Sequence, residues 1–139
     1  MEKKLAFLGP HGTFSEEAAL ALTAGLQIQR LPYPSIIDVI VAVDKGEVDY
    51  GVVPIENTIE GTVNTALDWL IHEVDLPIMG ELALPISQHL LVAKREEQLE
   101  LSAIERILSH PHAIAQCHNF IREHLPQAVI EYTNSTAKA

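Results

Sequence analysis

Glu56, Asn57 and Thr58 bring a carboxylate, an amide and a hydroxyl together in one short stretch. A carboxylate that keeps its proton can act as an acid, and an amide or hydroxyl can donate to an oxyanion. A second cluster, Thr13, Phe14 and Ser15, follows Gly9-Pro10-His11-Gly12. A third, Ser109-His110-Pro111-His112, precedes Gln116 and Cys117, and a fourth is Asn134-Ser135-Thr136. Most of these groups are neutral donors, which suits a small anion held where unpaired backbone N–H groups collect. Thr13 and Ser15, with the Gly12 backbone, can take a carboxylate at a helix start; simple capping is the competing reading. Asn57 can donate to a hydroxyl or a carboxylate. Glu56, if buried, can hold or deliver a proton, because burial raises a carboxyl pKa; otherwise it is a surface carboxylate beside a helix dipole. Ser109 and Gln116 are seven residues apart and share a helix face only if Ser109 is the cap. Otherwise Gln116 is a solvent-facing helix residue.

The elements that must position these groups follow from the pattern. Residues 4–8 read as a strand that runs into a Gly-Pro turn, then a helix to about residue 24 with Ser15 as cap and Thr13 as a competing cap, Glu16 lying three residues beyond it. Residues 27–31 read as a strand broken by Pro32-Tyr33-Pro34, and Ser35 caps a helix over 36–44 that ends at Lys45-Gly46. Residues 48–55 are short, β-branched and apolar, as in a buried strand. Gly61 then frees the backbone, and Thr62 or Asn64 caps a helix over 65–72. This β-α-β-α-β-α order predicts a parallel sheet flanked by helices. Pro77 and Pro85 bracket an extended run, 88–93 reads as a strand able to pair with it, and the lobe boundary falls near 76–80. Beyond it come a helical turn at 102–105, a strand at 106–109, a helix at 113–124 with Pro111 in its first turn, a strand at 129–132, and a last helix opened by Asn134-Ser135-Thr136. The expected fold is α/β: two small α/β lobes, 1–77 and 78–139, their polar clusters facing a cleft between them. The second lobe stops as a helix begins, so it is expected to be truncated.

Composition narrows the functions. A net charge of −10 argues against nucleic acid and anionic membrane surfaces. No apolar run is long enough to span a bilayer. No signal peptide is expected, and the single cysteine, Cys117, forbids an internal disulfide and fits the cytoplasm. The glycine loop lacks dinucleotide and nucleoside-triphosphate spacing. His110, His112, Cys117 and His118 fit no standard zinc module, so neither a metal nor a cofactor is expected.

The chain resembles the prephenate dehydratase family. The resemblance rests on Gly9 to Ser15 as a Gly-Pro-x-Gly-Thr-Phe-Ser opening, and on Pro54 to Gly61 as a Pro-Ile-Glu-Asn-Ser-x-Glu-Gly stretch with Thr58 in the serine's place. It rests also on Ser109-His110-Pro111-His112 with Gln116-Cys117, His112 standing for glutamine, and on Ser135 to Ala139 as Ser-Thr-x-x-Ala. It implies a fold similar to type II periplasmic binding proteins and conversion of prephenate to phenylpyruvate without a cofactor. It makes Glu56 and Asn57 catalytic candidates, and Thr13, Phe14, Ser15, Thr58, Gly61, Ser109, His110, Gln116, Ser135 and Thr136 substrate-binding ones. It assigns the catalytic acid to a threonine in a Thr-Arg-Phe motif beyond residue 139, so these residues alone are expected to lack full activity. Phenylalanine is implied as an effector only through a C-terminal regulatory domain, also beyond residue 139. A homodimer or higher homo-oligomer is expected. The alternative class is a non-catalytic two-lobe clamp for a small anion; a phenylalanine sensor is a third.

Overall fold

A computed structural model of the chain describes residues 2–57, 61–93, 99–134 and 136–139. The chain divides into two compact units, Met1–Pro85 and Ile86–Ala139, each with apolar core of its own. The boundary expected at 77–78 falls inside the irregular run that ends the first unit. No described helix is long and apolar enough to cross a membrane.

The first unit is built on β1 (Lys3–Leu8), where Leu5, Ala6 and Phe7 are buried in succession. Consecutive burial marks a strand covered on both faces. β1 lies between β2 (Ile28–Tyr33) and β3 (Tyr50–Val52), both parallel to it. Its side chains alternate between two layers. Ala6 packs with Val39 and Ala42 of α2 (Ile36–Asp44) and with Val48, whereas Leu5 and Phe7 pack with Ala19 of α1 (Phe14–Leu22). The two helices therefore cover opposite faces of the sheet. Burying a side chain such as Phe7 completely contributes about 1.5–3 kcal/mol. Ser35 caps α2 as expected, its hydroxyl accepting from Asp38 N, and Gly46 takes φ 70° just past the helix end.

Pro32 does not break the second strand; β2 runs on to Tyr33. It is an edge strand, where a residue without an N–H is tolerated. The strand expected at 48–55 is reduced to the three residues of β3. Its continuation turns into a small antiparallel hairpin, β4 (Glu56–Asn57) with β5 (Gly61–Thr62), before α3 (Asn64–His72). Neither expected cap of α3 is used: Val63 is the N-cap and no side chain bonds there, because Thr62 is paired in the hairpin and Asn64 is already helical.

The run from 74 to 93 forms no regular element, so the strands expected at 76–86 and 88–93 are absent. Its composition suits a pleated strand, but no described residue offers it a ladder partner, and an unpaired strand is not stable in water.

The second unit places β6 (Arg106–Ser109) parallel to β7 (Val129–Tyr132), joined through α4 (Pro111–Gln116) and α5 (His118–His124). Ile104, Ile107, Ile114 and Leu125 form its core. The helix expected as one piece over 113–124 is interrupted at Cys117, whose φ of −98° and ψ of 8° leave the helical region. Neither proline nor glycine stands there to announce the break. The turns at Leu101–Ala103 and Thr136–Lys138 are single 3₁₀ turns.

Candidate functional site

Parallel strands bring their carboxyl ends to one edge of a sheet. In the first unit, Phe7 of β1 pairs with Val52 of β3, so the two strands end side by side. The Gly9–Thr13 loop leaves one of them and the segment leading to Glu56 and Asn57 leaves the other. β2 lies on the other side of β1, so the chain changes direction across this point, which is where open α/β sheets bind ligands. Motifs some forty residues apart in sequence thus share one edge.

The first motif is held tightly by its own residues. Thr13, not Ser15, is the N-cap of α1: its Oγ1 accepts from Glu16 N at 3.3 Å and donates to Leu8 O at 3.2 Å. Ser15 sits inside the first turn and, like Phe14, is half-buried. Gly12, at φ 81°, takes a conformation that side chains disfavour. Its N–H donates to Glu16 Oε2 at 2.6 Å, and His11 Nδ1 lies 2.6 Å from Glu16 Oε1. The Gly12 donor expected for a substrate carboxylate is therefore already engaged by a carboxylate of this chain. The Gly12 N–H, and after it the His11 ring, hold the Glu16 carboxyl below the usual glutamate value.

In the hairpin, Asn57 pairs with Gly61 and Glu56 with Thr62. Gly61 adopts φ 76°, which fits the freedom expected of it. Asn57 is half-buried. Glu56 is exposed, so the burial that the acid's role would need is missing. Thr58 lies outside the described residues.

The second unit repeats the plan. Ser109 closes β6 and His110 follows it, while Thr136 follows β7; Ser109 and Tyr132 pair at the ends of the two strands. Ser109 is not the cap of α4. His110 is, its Nδ1 accepting from His112 N at 3.2 Å. The Ser109 backbone oxygen accepts from Thr133 N at 2.9 Å, keeping Ser109 in the sheet. The two imidazoles pack edge to face, 4.4 Å between centroids. Gln116 is half-buried and accepts from Gln88 Nε2 at 3.0 Å, so it is not a freely solvated helix residue. Thr136 is half-buried; Ser135 lies outside the described residues.

Within the first unit Thr13, Phe14 and Ser15 follow the end of β1 while Glu56, Asn57 and Gly61 follow the end of its neighbour β3, and within the second Ser109 and His110 follow β6 while Thr136 follows its neighbour β7. Two polar residues bear on these groups without having been singled out as site residues. Glu16 was legible only as half of a Thr-x-x-Glu cap, which does not reveal its grip on Gly12 and His11. Gln88 stands in an apolar run with no local signal at all.

The family model described as prephenate dehydratase matches residues 5–139. The chain is similar to the prephenate dehydratase of Lactococcus lactis subsp. lactis (strain IL1403), 46% identical over 136 residues that cover 98% of this chain and 46% of that one. It is similar to the prephenate dehydratase of Bacillus subtilis (strain 168), 46% identical over 138 residues covering 98% of this chain and 47% of that one. Among solved structures, prephenate dehydratase from Arthrobacter aurescens in complex with L-Phe matches with a TM-score of 0.80 at 36% identity, covering 97% of this chain and 44% of that one. The chain spans about half the length of the curated relatives it matches. Its fold is mixed α/β, like that of these periplasmic-binding-protein-like neighbours.

Proposed function

The chain belongs to the prephenate dehydratase family, and from that premise we propose that the whole protein converts prephenate to phenylpyruvate in phenylalanine biosynthesis. The observation that carries the proposal is the family match over residues 5–139, together with motif residues gathered at the carboxyl ends of parallel strands. In the reaction, the ring carboxylate leaves as carbon dioxide, its bonding electrons enter the ring, and the C–O bond to the ring hydroxyl breaks. A proton taken up by that hydroxyl lets it leave as water, so an acid is required. The substrate's two carboxylates call for preorganised donors. We assign these to the Ser15, Ser109, His110 and Gln116 side chains, with Asn57 directed at the ring hydroxyl. Thr13 holds the first loop in shape, and Phe14 and Gly61 frame the motifs to which they belong. Glu56 is not assigned the acid's role, because it is exposed.

The reading extends to regulation and setting. The Arthrobacter aurescens relative was solved in complex with L-Phe, which supports phenylalanine as an effector of the whole protein here. A cytoplasmic, homo-oligomeric enzyme fits the same reading.

The test follows phenylpyruvate absorbance in alkali after incubation of the whole protein with prephenate. Asn57→Ala is expected to lower kcat by roughly 10²–10³, the cost of removing one preorganised donor, with an unchanged unfolding midpoint. If the whole protein binds prephenate but forms no phenylpyruvate, the chain is an anion-binding module and the enzyme reading falls.

A further inference from the structure

Gln88 and Gln116 meet side chain to side chain within the second unit, one from the irregular run and the other from the end of α4. Gln88 Nε2 donates to Gln116 Oε1 at 3.0 Å, and both residues are half-buried. A primary amide has an accepting end and a donating end of nearly the same shape, and its neighbours decide which one faces outward. Turning the Gln116 amide round while Gln88 keeps its NH₂ toward it would set two NH₂ groups against each other, leaving donors unsatisfied in a partly dry place. With the oxygen engaged, no described residue accepts from Gln116 Nε2.

We infer that Gln88 is a positioning residue, which locks the Gln116 amide so that this position presents N–H donors and selects an acceptor such as a carboxylate or carbonyl oxygen. Gln88 does not touch the ligand; it sets the polarity of the residue that does. The ligand's identity rests on the function proposed above, while the orientation of the amide rests on the direction of the hydrogen bond, from Gln88 Nε2 to Gln116 Oε1.

Two substitutions in the whole protein separate polarity from packing. Gln88→Leu removes the donor and leaves the Gln116 amide free to turn. Gln88→Glu keeps the size but only accepts, so it draws the Gln116 NH₂ inward and turns the oxygen toward the ligand. KM for prephenate is expected to rise about tenfold or more in Gln88→Glu and severalfold in Gln88→Leu, with kcat changing far less, since hydrogen bonds to charged groups carry effects of that size. Equal KM values in both variants and the unsubstituted protein would overturn the inference, as would equal losses accompanied by a lowered unfolding midpoint. A measurement without substrate stands beside it. In amide NMR, Gln116→Leu is expected to shift the Gln88 NH₂ resonances, which lose their acceptor, more than Gln88→Leu shifts those of Gln116. In Gln88→Glu the Gln116 NH₂ resonances are expected to move as that group turns inward to the carboxylate. The opposite pattern would overturn the inference. If the unsubstituted whole protein neither binds nor converts prephenate, the functional reading fails separately, and the NMR pattern alone decides the role of Gln88.

Discussion

The Glu16 carboxylate is committed twice, to the Gly12 N–H and to the His11 ring. These bonds favour the charged form and hold its pKa below the ordinary value of 4.5. A carboxylate lowered in the folded state stabilises the protein fully above its unfolded pKa, and that contribution disappears as pH falls through the folded value. Urea midpoints of the unsubstituted chain and Glu16→Gln should therefore differ above about pH 5 and converge in more acid solution. Parallel curves down to pH 3 would contradict this account of Glu16. Thr13 presents a related choice between shape and binding. Its hydroxyl is used in both directions, by Glu16 N and Leu8 O. Thr13→Ala is expected to cost about 1 kcal/mol of stability, the usual worth of an N-cap. Thr13→Ser should recover most of it. Calorimetric unfolding of the two variants checks the cap, and a rise in KM in Thr13→Ala at unchanged stability would return Thr13 to the ligand.

At the scale of elements, α2 was legible to the residue because its signals are local: Ser35 as cap, a repeating apolar face, and a glycine just past the end. The β-α-β order of the first unit was legible for the same reason. The β4–β5 hairpin was not, because its bonds join residues on either side of Thr58-Ile59-Glu60 and none of them carries a strand signal. The run at 74–93 misled in the opposite way, since strand-like composition says nothing about whether a partner exists. The motifs stood out in the sequence, but the sharing of one sheet edge by Ser15 and Asn57 depends on the register of β1 against β3, which no local pattern encodes. Gly51 shows how tight that register is. A Cβ there would lie 3.0 Å from Val39 Cγ1 and 3.0 Å from Val43 Cγ2, and Val39 is fully buried and has no room to retreat. Gly51→Ala is expected to destabilise the first unit by about 1–3 kcal/mol, the usual cost of overpacking, measured as a lower urea midpoint. An unchanged midpoint would mean that α2 slides away freely.

Across the whole molecule, a net charge of −10 coexists with an irregular run in which several apolar side chains are exposed, Ile78 at 76%, Met79 at 78% and Leu91 at 85%. Exposed apolar side chains of this size favour association. Sedimentation of the 139-residue chain is expected to show concentration-dependent assembly that Leu91→Lys with Met79→Lys reduces; a monomer at every concentration would refute this. The central position of β1 has a consequence for the rate at which backbone protons leave for water. Its amides and carbonyls are enclosed by a strand on each side and a helix on each face, whereas β2 and β3 each pair on one side only among the described residues. Opening β1 requires dismantling the sheet, but opening an edge strand does not. In deuterated solvent the β1 amides should therefore be the last of the first unit to exchange, at the rate of its cooperative unfolding. The β6 and β7 amides, enclosed by a different core, should form a second population with a lifetime of its own.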